Sequence, residues 1–420
     1  MPNDRPDERH DQRPSARAVV ALLLCALIVR GGALWLRADS LRADPDGYRR
    51  LAQNVAARRV FGAGNTPTAY RPPLYPLLLA VFTRETGLSD ATIGGLHLLL
   101  GIGTVWLVLR LATAWGLGRY APLAAALVAC DPILLNQSTL LMTETLATFL
   151  AALALVLLTA VVQRPSARAA VCGGLVIALA ALCRPTFLVW LLFAPPAVLW
   201  LVRPWRWGAR MAVIVLLAAV CGLAPWAIRN QLVLGRPIVT TTHGGYTLLL
   251  GNNPSFYDHL RTAPRGSVWS GENLEFPRAC QEGLDEVHDD RILYAEAWRN
   301  IRAQPAMFFR ACLHRIARLW GVLPYAIDSP EGAANRWLRY ATALGYTLEF
   351  ALAAAGVWSL RTKLVQSPWL FGVVLAVGFS AVHAVYWTDL RMRAPLVPVV
   401  ALLATGGGAW IASQWRRVTS

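Results

Sequence analysis

Charged side chains are scarce in this 420-residue chain, at 15% of positions against 56% hydrophobic ones. So little charge cannot cover a soluble protein of this size, and a mean hydropathy of +0.43 suits a multispanning membrane protein instead. Lysine is all but missing: Lys363 stands alone, so the net charge of +16 is carried by arginine. The arginines are spread through short loops and do not gather on one polar face. That distribution excludes a nucleic-acid binder and fits the orientation signal of a membrane protein. Cysteine is also sparse. Of the seven, five fall within apolar stretches, and the set shows neither metal-ligand spacing nor a disulfide framework. Only Cys280 and Cys312 share a polar region, where two unpaired thiols are expected ahead of a bridge.

What is present is a series of apolar stretches. Residues 1–17 are polar, rich in Pro, Asp and Arg and without periodicity, and read as a disordered cytoplasmic tail. Ala18 to Leu36 is the first span; no small-residue cleavage site follows it, so it is expected to stay as an anchor. Crossing about 30 Å of hydrocarbon takes roughly 20 residues. Further candidates lie near 91–113, 121–137, 142–162, 168–183, 185–202, 210–227, 337–360, 367–387 and 394–413. The predicted fold is an all-α polytopic membrane protein with about ten transmembrane helices, interfacial helices and a larger extracytoplasmic loop. Asp131 and Pro132 interrupt one span and the span before Arg184 is short, so either hairpin is a candidate re-entrant segment.

Ten basic residues of the short loops (Arg119, Arg164, Arg168, Arg203, Arg206, Arg210, Arg361, Lys363, Arg416 and Arg417) fall on the N-terminal side, against Arg184, Arg391 and Arg393 on the other. Both termini are therefore expected in the cytoplasm. The chain divides into the tail 1–17, a transmembrane catalytic module 18–227 with a first outer loop at 37–90, an extracytoplasmic loop 228–336 with interfacial helices, and C-terminal spans 337–420. The first outer loop holds eight arginines against the orientation rule, a hint of anion binding.

That loop carries the densest chemistry, DPDGYRRLAQNVAARRVFGAGNTPTAYRPPLY from Asp44 to Tyr75. Tyr48, Leu51, Ala52 and Val55 make an apolar stripe with Arg49, Arg50, Arg58 and Arg59 outside it, which predicts a helix over 47–59 lying along the interface. Asp44 and Asp46 precede it. They either cap the helix or, one of them, accept a proton from a nucleophile. Pro72 and Pro73 hold Arg71 on a stiff extended turn; its guanidinium suits a phosphate, the alternative being a lipid-headgroup contact.

Elsewhere, Glu144 opens a span, as a functional acid that orients an acceptor or a metal or as part of a water-facing helix start. Arg184 is a phosphate contact or, favoured slightly, a snorkelling side chain. Arg229 sits at the membrane boundary, placed for a lipid carrier. GRPIVTTTHGGYTLLLGNNP reads as a strand-and-turn pattern whose Asn252 and Asn253 supply amides, with His243 a plain loop residue or a metal or acceptor contact. Helices are expected at 289–302 and 306–320. The second sets Phe308, Phe309, Leu313, Ile316, Leu319 and Trp320 against Arg310, His314, Arg315 and Arg318, as on a membrane surface. Asp389, Arg391 and Arg393 at the last outer turn anchor headgroups or form a second anion site.

The order of these features resembles the GT-C type membrane glycosyltransferases, the group that includes protein O-mannosyltransferases and the lipid A aminoarabinose transferase. The resemblance rests on DPDGY and AYRPPLYPLLLA, followed by MTETLATFL (142–150), CRPTF (183–187), PWAIRN (225–230), GGYTLLLGNNP (244–254) and RMRAPLVP (391–398), and covers most of the chain. It implies transfer of a sugar, with inversion, from a polyprenyl-phosphate carrier to a lipid, glycan or protein acceptor outside a bacterial-type inner (plasma) membrane. Asp44 occupies the place of the family's catalytic acid and Arg71 that of its phosphate-binding cation. Pro45 separates Asp44 from Asp46 where relatives often have adjacent acids, so either is the candidate base. No cofactor is certain, and a divalent metal is admitted. No nucleotide-binding strand, turn and helix occurs, which argues against a soluble nucleotide-sugar donor. Two other classes stay open, a lipid-linked polysaccharide polymerase or ligase and a transporter or flippase; the chain shows no internal repeat of the kind transporters carry.

Overall fold

The computed structural model describes residues 14–419 apart from 265–266, 268, 270, 272–273, 275, 278–279, 281–284 and 326–331. Helix α1 (Ala16–Leu36) starts within the segment expected to be tail, because Ser15 caps it by accepting the N–H of Ala18 at 3.2 Å. The membrane part continues with α4 (Asp90–Ala114), α5 (Ala121–Cys130), α6 (Pro132–Ser138), α7 (Glu144–Gln163), α8 (Ala167–Cys183), α9 (Leu188–Leu201), α10 (Trp205–Leu234), α15 (Ala333–Leu360), α17 (Trp369–Val385) and α18 (Val397–Thr419). Among the described residues six helices are long and apolar enough to cross a membrane: α1, α4, α7, α10, α15 and the run from Leu390 through α18. A seventh crossing exists if α5 and α6 form one span, and three shorter apolar helices occupy the remaining expected positions.

The interruption expected at Asp131 is a 49° bend between α5 and α6. Asp131 caps α6 through the N–H of Leu134, at 2.8 Å, and accepts the Tyr346 hydroxyl of α15 at 3.1 Å. The break is thus satisfied by side chains, as it must be where water is excluded. Lipid offers no hydrophobic drive between spans, so close backbone approach at small residues supplies the packing. Gly407 on α18 lies against α15 so tightly that a Cβ there would sit 1.9 Å from the Leu352 carbonyl oxygen.

One end of the bundle carries the polar elements. The first outer loop forms α2 (Tyr48–Arg58), a two-residue antiparallel hairpin of β1 (Gly62–Ala63) and β2 (Thr66–Pro67), and α3 (Leu74–Val81). The predicted interfacial helix is α2; it buries Tyr48, Leu51 and Ala52 and leaves Arg50 and Arg58 outside. The second outer segment forms α11 (Gly244–Gly251), α12 (Pro254–Thr262), α13 (Glu286–Ala303) and α14 (Pro305–Leu319), followed beyond α15 by the short α16 (Lys363–Gln366).

Two expectations need correction here. The Gly- and Asn-rich stretch is helical and not strand-like: its paired glycines let α11 press on α13, where a Cβ on Gly245 would lie 2.2 Å from the Asp290 carbonyl oxygen. In α14 Arg315 and Arg318 turn inward while Arg310 stays exposed. Arg315 is 1% exposed and donates to the carbonyls of Gly251 and Ala384, whereas Phe309 and Leu313 are 66% and 69% exposed. The buried carbonyls at the α11 and α17 ends demand donors, and the outward apolar side chains need no partner in a membrane. All seven cysteines are free, Cys280 and Cys312 included.

Candidate active site

The turn that opens α2 sets two acids in different surroundings. Gly47 adopts φ 73°, a left-handed conformation open to glycine at little cost, and its N–H closes a turn onto the Asp44 carbonyl at 3.1 Å. Asp44 is thereby brought under the helix start, where its Oδ2 accepts the N–H groups of Arg49 (3.1 Å) and Arg50 (3.2 Å). Its Oδ1 is buried and has no partner. Capping and proton acceptance, alternatives in the sequence, fall to different oxygens of one carboxylate. Asp46 points elsewhere, into an ion pair with Arg71 at 2.9 Å.

Arg71 stands on a mount in which every main-chain polar group from the N–H of Thr68 to the N–H of Tyr70 is tied. The Thr68 N–H donates to Phe61 (2.9 Å), and the Thr68 carbonyl accepts from Arg229 (2.8 Å). The Ala69 N–H donates to Glu286 (2.6 Å), while its carbonyl accepts the Thr242 N–H (3.0 Å). The Tyr70 N–H reaches the Thr68 hydroxyl at 2.9 Å. Pro72 and Pro73 follow, and α3 starts only at Leu74. The guanidinium lies over the Tyr70 ring, 5.3 Å from its centroid. Burial pushes the Tyr70 hydroxyl up to about 12, so it stays a hydrogen-bond donor across the neutral range. Asp46, Arg50, Tyr70, Arg71 and Glu286 border a cavity of about 740 Å³.

A second acid–arginine group adjoins the first. Because α7 and α8 form an antiparallel hairpin, the start of one and the end of the other meet. Glu144, 1% exposed, accepts Arg184 at 2.9 Å and lies 3.7 Å from Nε of Arg391; its Oε2 is buried and unpartnered. Arg184 therefore does not snorkel: it is enclosed by the acid that a buried cation requires. Tyr48 lies between the two groups. Burial, then Asp46, pushes its hydroxyl well above the usual range, and Arg71, Glu144 and Arg184 are close enough to act on it too. Its ring meets Tyr75 edge-on at 5.4 Å, and Tyr75 hydrogen-bonds Nε2 of His97 (2.8 Å), whose Nδ1 contacts the Ser138 carbonyl (2.8 Å). Tyr48, Tyr75 and His97 are not among the site candidates that the sequence supplies; a histidine inside an apolar span is the signal that points to the last of them.

The other candidates have structural partners. Arg229 braces the first outer loop, donating to Thr68, to Phe61 (3.0 Å) and to Asn230. Asn252 and Asn253 join α11 to α12: the first bonds Leu248 and Val385 carbonyls, and the second caps α12 at the Phe256 N–H. Arg393, 1% exposed, bonds the carbonyls of Leu319 and Gly321 and lies over the Tyr346 ring. The last outer turn thus sends Arg391 to the site and Arg393 into the bundle.

His243 packs its ring on Tyr70 (4.4 Å) and Tyr246 (4.8 Å) with Nδ1 unpartnered. Burial, then Arg71, lowers it to about 3, so it is neutral at any working pH. Among the described residues no group of three or more His, Cys, Asp or Glu side chains is disposed to hold a metal ion. Asp46 and Glu144 each pair with an arginine, while Asp44 Oδ1 and Glu144 Oε2 have no partner.

No protein-family model matches the chain, and no curated protein matches it. Among solved structures it is similar to the oligosaccharyltransferase AglB of Archaeoglobus fulgidus. In complex with an inhibitory peptide and a dolichol-phosphate, that enzyme matches at TM-score 0.54 and 14% identity, over 95% of this chain and 51% of that one. Tethered to an acceptor peptide, it matches at TM-score 0.53 and 15% identity, over 94% and 50%. ArnT of Cupriavidus metallidurans bound to undecaprenyl phosphate matches at TM-score 0.41 and 16% identity, over 95% and 79%. The chain spans about half the length of the archaeal enzyme. The likeness shows the fold, the GT-C architecture that the motifs resemble.

Proposed function

We propose that this integral membrane protein is a glycosyltransferase that moves a hexosyl or pentosyl group, with inversion, from a polyprenyl-phosphate donor to an acceptor on the extracytoplasmic face. The observation that carries the reading is the Asp44 carboxylate, with one oxygen fixed by two helix N–H groups and the other buried and free, beside the Asp46–Arg71 pair. In the reaction Asp44 Oδ1 takes the proton of the acceptor hydroxyl or amine. The acceptor heteroatom bonds to the anomeric carbon as the carbon–oxygen bond to the phosphate breaks, and the electron pair leaves with the lipid phosphate. Arg71 receives that charge, with Arg184 and Arg391 as the second cationic group; a positioned guanidinium stabilises developing phosphate charge without proton transfer.

The ion pair with Arg71 supports Asp46 as that arginine's partner and Asp44 as the base. The fold likeness to an enzyme solved with a dolichol-phosphate supports a lipid-phosphate donor. The extracytoplasmic side is supported by the position of the site, at the bundle end opposite the ten basic residues of the short loops. A bacterial-type inner membrane is the setting proposed. Asp44→Asn preserves the cap, since Asn caps about as well as Asp, but it cannot accept a proton. Transfer by the purified variant should fall on the order of a hundredfold with normal protein yield; a wild-type rate would assign Asp44 to capping alone.

A further inference from the structure

The second outer segment meets the mount of Arg71 at the Thr242 N–H, the His243 ring and Glu286 in the first turn of α13, and of these Glu286 holds two residues of the mount at once. Its carboxylate accepts the Ala69 N–H at 2.6 Å and the Thr68 hydroxyl, and that same hydroxyl oxygen accepts the Tyr70 N–H at 2.9 Å. Two successive residues before Arg71 are therefore fixed by one carboxylate from a helix 218 positions away. The helix that carries it is itself held: Asp285 caps it at the Val287 N–H (3.0 Å), and Asp290, one turn on, accepts the Gly245 N–H at 2.6 Å. Farther along, Glu296 and Asn300 of α13 border a second cavity, of about 730 Å³, with Trp269, Phe276 and Asp258. One helix thus meets the mount of Arg71 at its start and walls the outer cavity near its end.

We infer that Glu286 is a positioning residue for the phosphate site: by clamping Thr68 and Ala69 it sets where the Arg71 guanidinium stands, and it makes that position depend on the outer segment. The alternative is a plain structural tie between two loops. The geometry favours the first because the clamp lies within three residues of Arg71, on a stretch that Pro72 and Pro73 keep from rearranging toward the membrane. A displaced mount moves a bidentate donor out of register with a phosphate, and such loss appears in binding before it appears in folding.

The inference rests on Arg71 binding the lipid phosphate, so the test measures both. Binding of undecaprenyl phosphate and the transfer rate are measured on the purified full chain for Arg71→Ala, Glu286→Ala, Glu286→Gln and the Arg71→Ala/Glu286→Ala double variant. Glu286→Ala should raise the Kd about as far as Arg71→Ala, on the order of tenfold, and the double variant should bind no worse than Arg71→Ala alone, the non-additivity of residues acting as a unit. Glu286→Gln keeps an acceptor for the Ala69 N–H and should restore most of the affinity, which a loss of generic charge would not allow. Unchanged binding in Glu286→Ala with weakened binding in Arg71→Ala overturns the inference and leaves Arg71 as the phosphate site. Losses that add in the double variant overturn it as well. Wild-type binding in Arg71→Ala removes the phosphate site itself, and the inference with it. Should Glu286→Ala fail to accumulate, Thr68→Val, which deletes only the hydroxyl, carries the test: a severalfold rise in Kd supports the clamp and an unchanged Kd overturns it.

Discussion

Two acids two positions apart end with different partners because Pro45 separates them and the left-handed Gly47 turns the chain back after them. The pairing of Asp46 with Arg71 has a consequence for binding: an incoming phosphate must replace Asp46 on the guanidinium. Both side chains are partly exposed, so the pair is worth about 1 kcal/mol or less. Asp46→Asn should therefore tighten undecaprenyl phosphate binding, by about fivefold for 1 kcal/mol, with kcat within a small factor of wild type. A hundredfold loss of kcat in this variant would instead make Asp46 the base. At this scale much of the site was legible. The acids Asp44 and Asp46 before Gly47 and Tyr48, and Arg71 before Pro-Pro, are local patterns, readable because turn chemistry is local. Arg229, Asn252, Asn253 and Arg393 were not, since an exposed-looking polar side chain declares nothing about which carbonyl it will meet.

Apolar run length located the helices, six of them long enough to cross a membrane among the described residues, and the glycines that bring them together show why some sequence features have no reading until partners are known. Gly407 sits in a run of three glycines on α18 that by composition alone suggests weak helix; in the fold it is the point where α18 touches the backbone of α15. Gly407→Leu should force the two helices apart, a steric cost of at least the 1–3 kcal/mol typical of overpacking. Lowered thermal stability in detergent with reduced yield would be the sign, whereas the open neighbour Gly408, with nothing within 4 Å of its added Cβ, should accept leucine with little change. Equal behaviour of the two variants would show that this contact does not hold the C-terminal spans together. In α14 the same lesson applies to polarity: its apolar and basic residues were visible, but which arginine turned inward depended on the carbonyls of Gly251 and Ala384 that Arg315 meets.

For the whole molecule, the polar elements gather at one end of the bundle: the first outer loop, α11 to α14 and the turn before α18. The proposed sidedness rests on the opposite end, where the short basic loops lie. Truncated fusions to a reporter active only outside the cytoplasm should be active after Thr262 and silent after Ser166. The reverse pattern would place the proposed donor site on the cytoplasmic face and remove the mechanism that depends on it.

The sequence by itself determined the class of this protein. Composition and hydropathy demand a helical membrane protein, because in lipid each backbone polar group must be paired within its own segment, and the order of the motifs carried the resemblance later matched by the fold. It also determined the acids and the arginine around which the first outer loop turns. Only the tertiary structure decided which charge meets which. Glu144 finds Arg184 and Arg391 because an antiparallel hairpin and a returning chain bring three distant positions to one end, and Glu286 reaches Thr68 from a helix of the second outer segment. Periodicity fixes which side of a helix is apolar, but the energy of a buried ion pair depends on the direct distance between its members, and only the packed fold sets that distance.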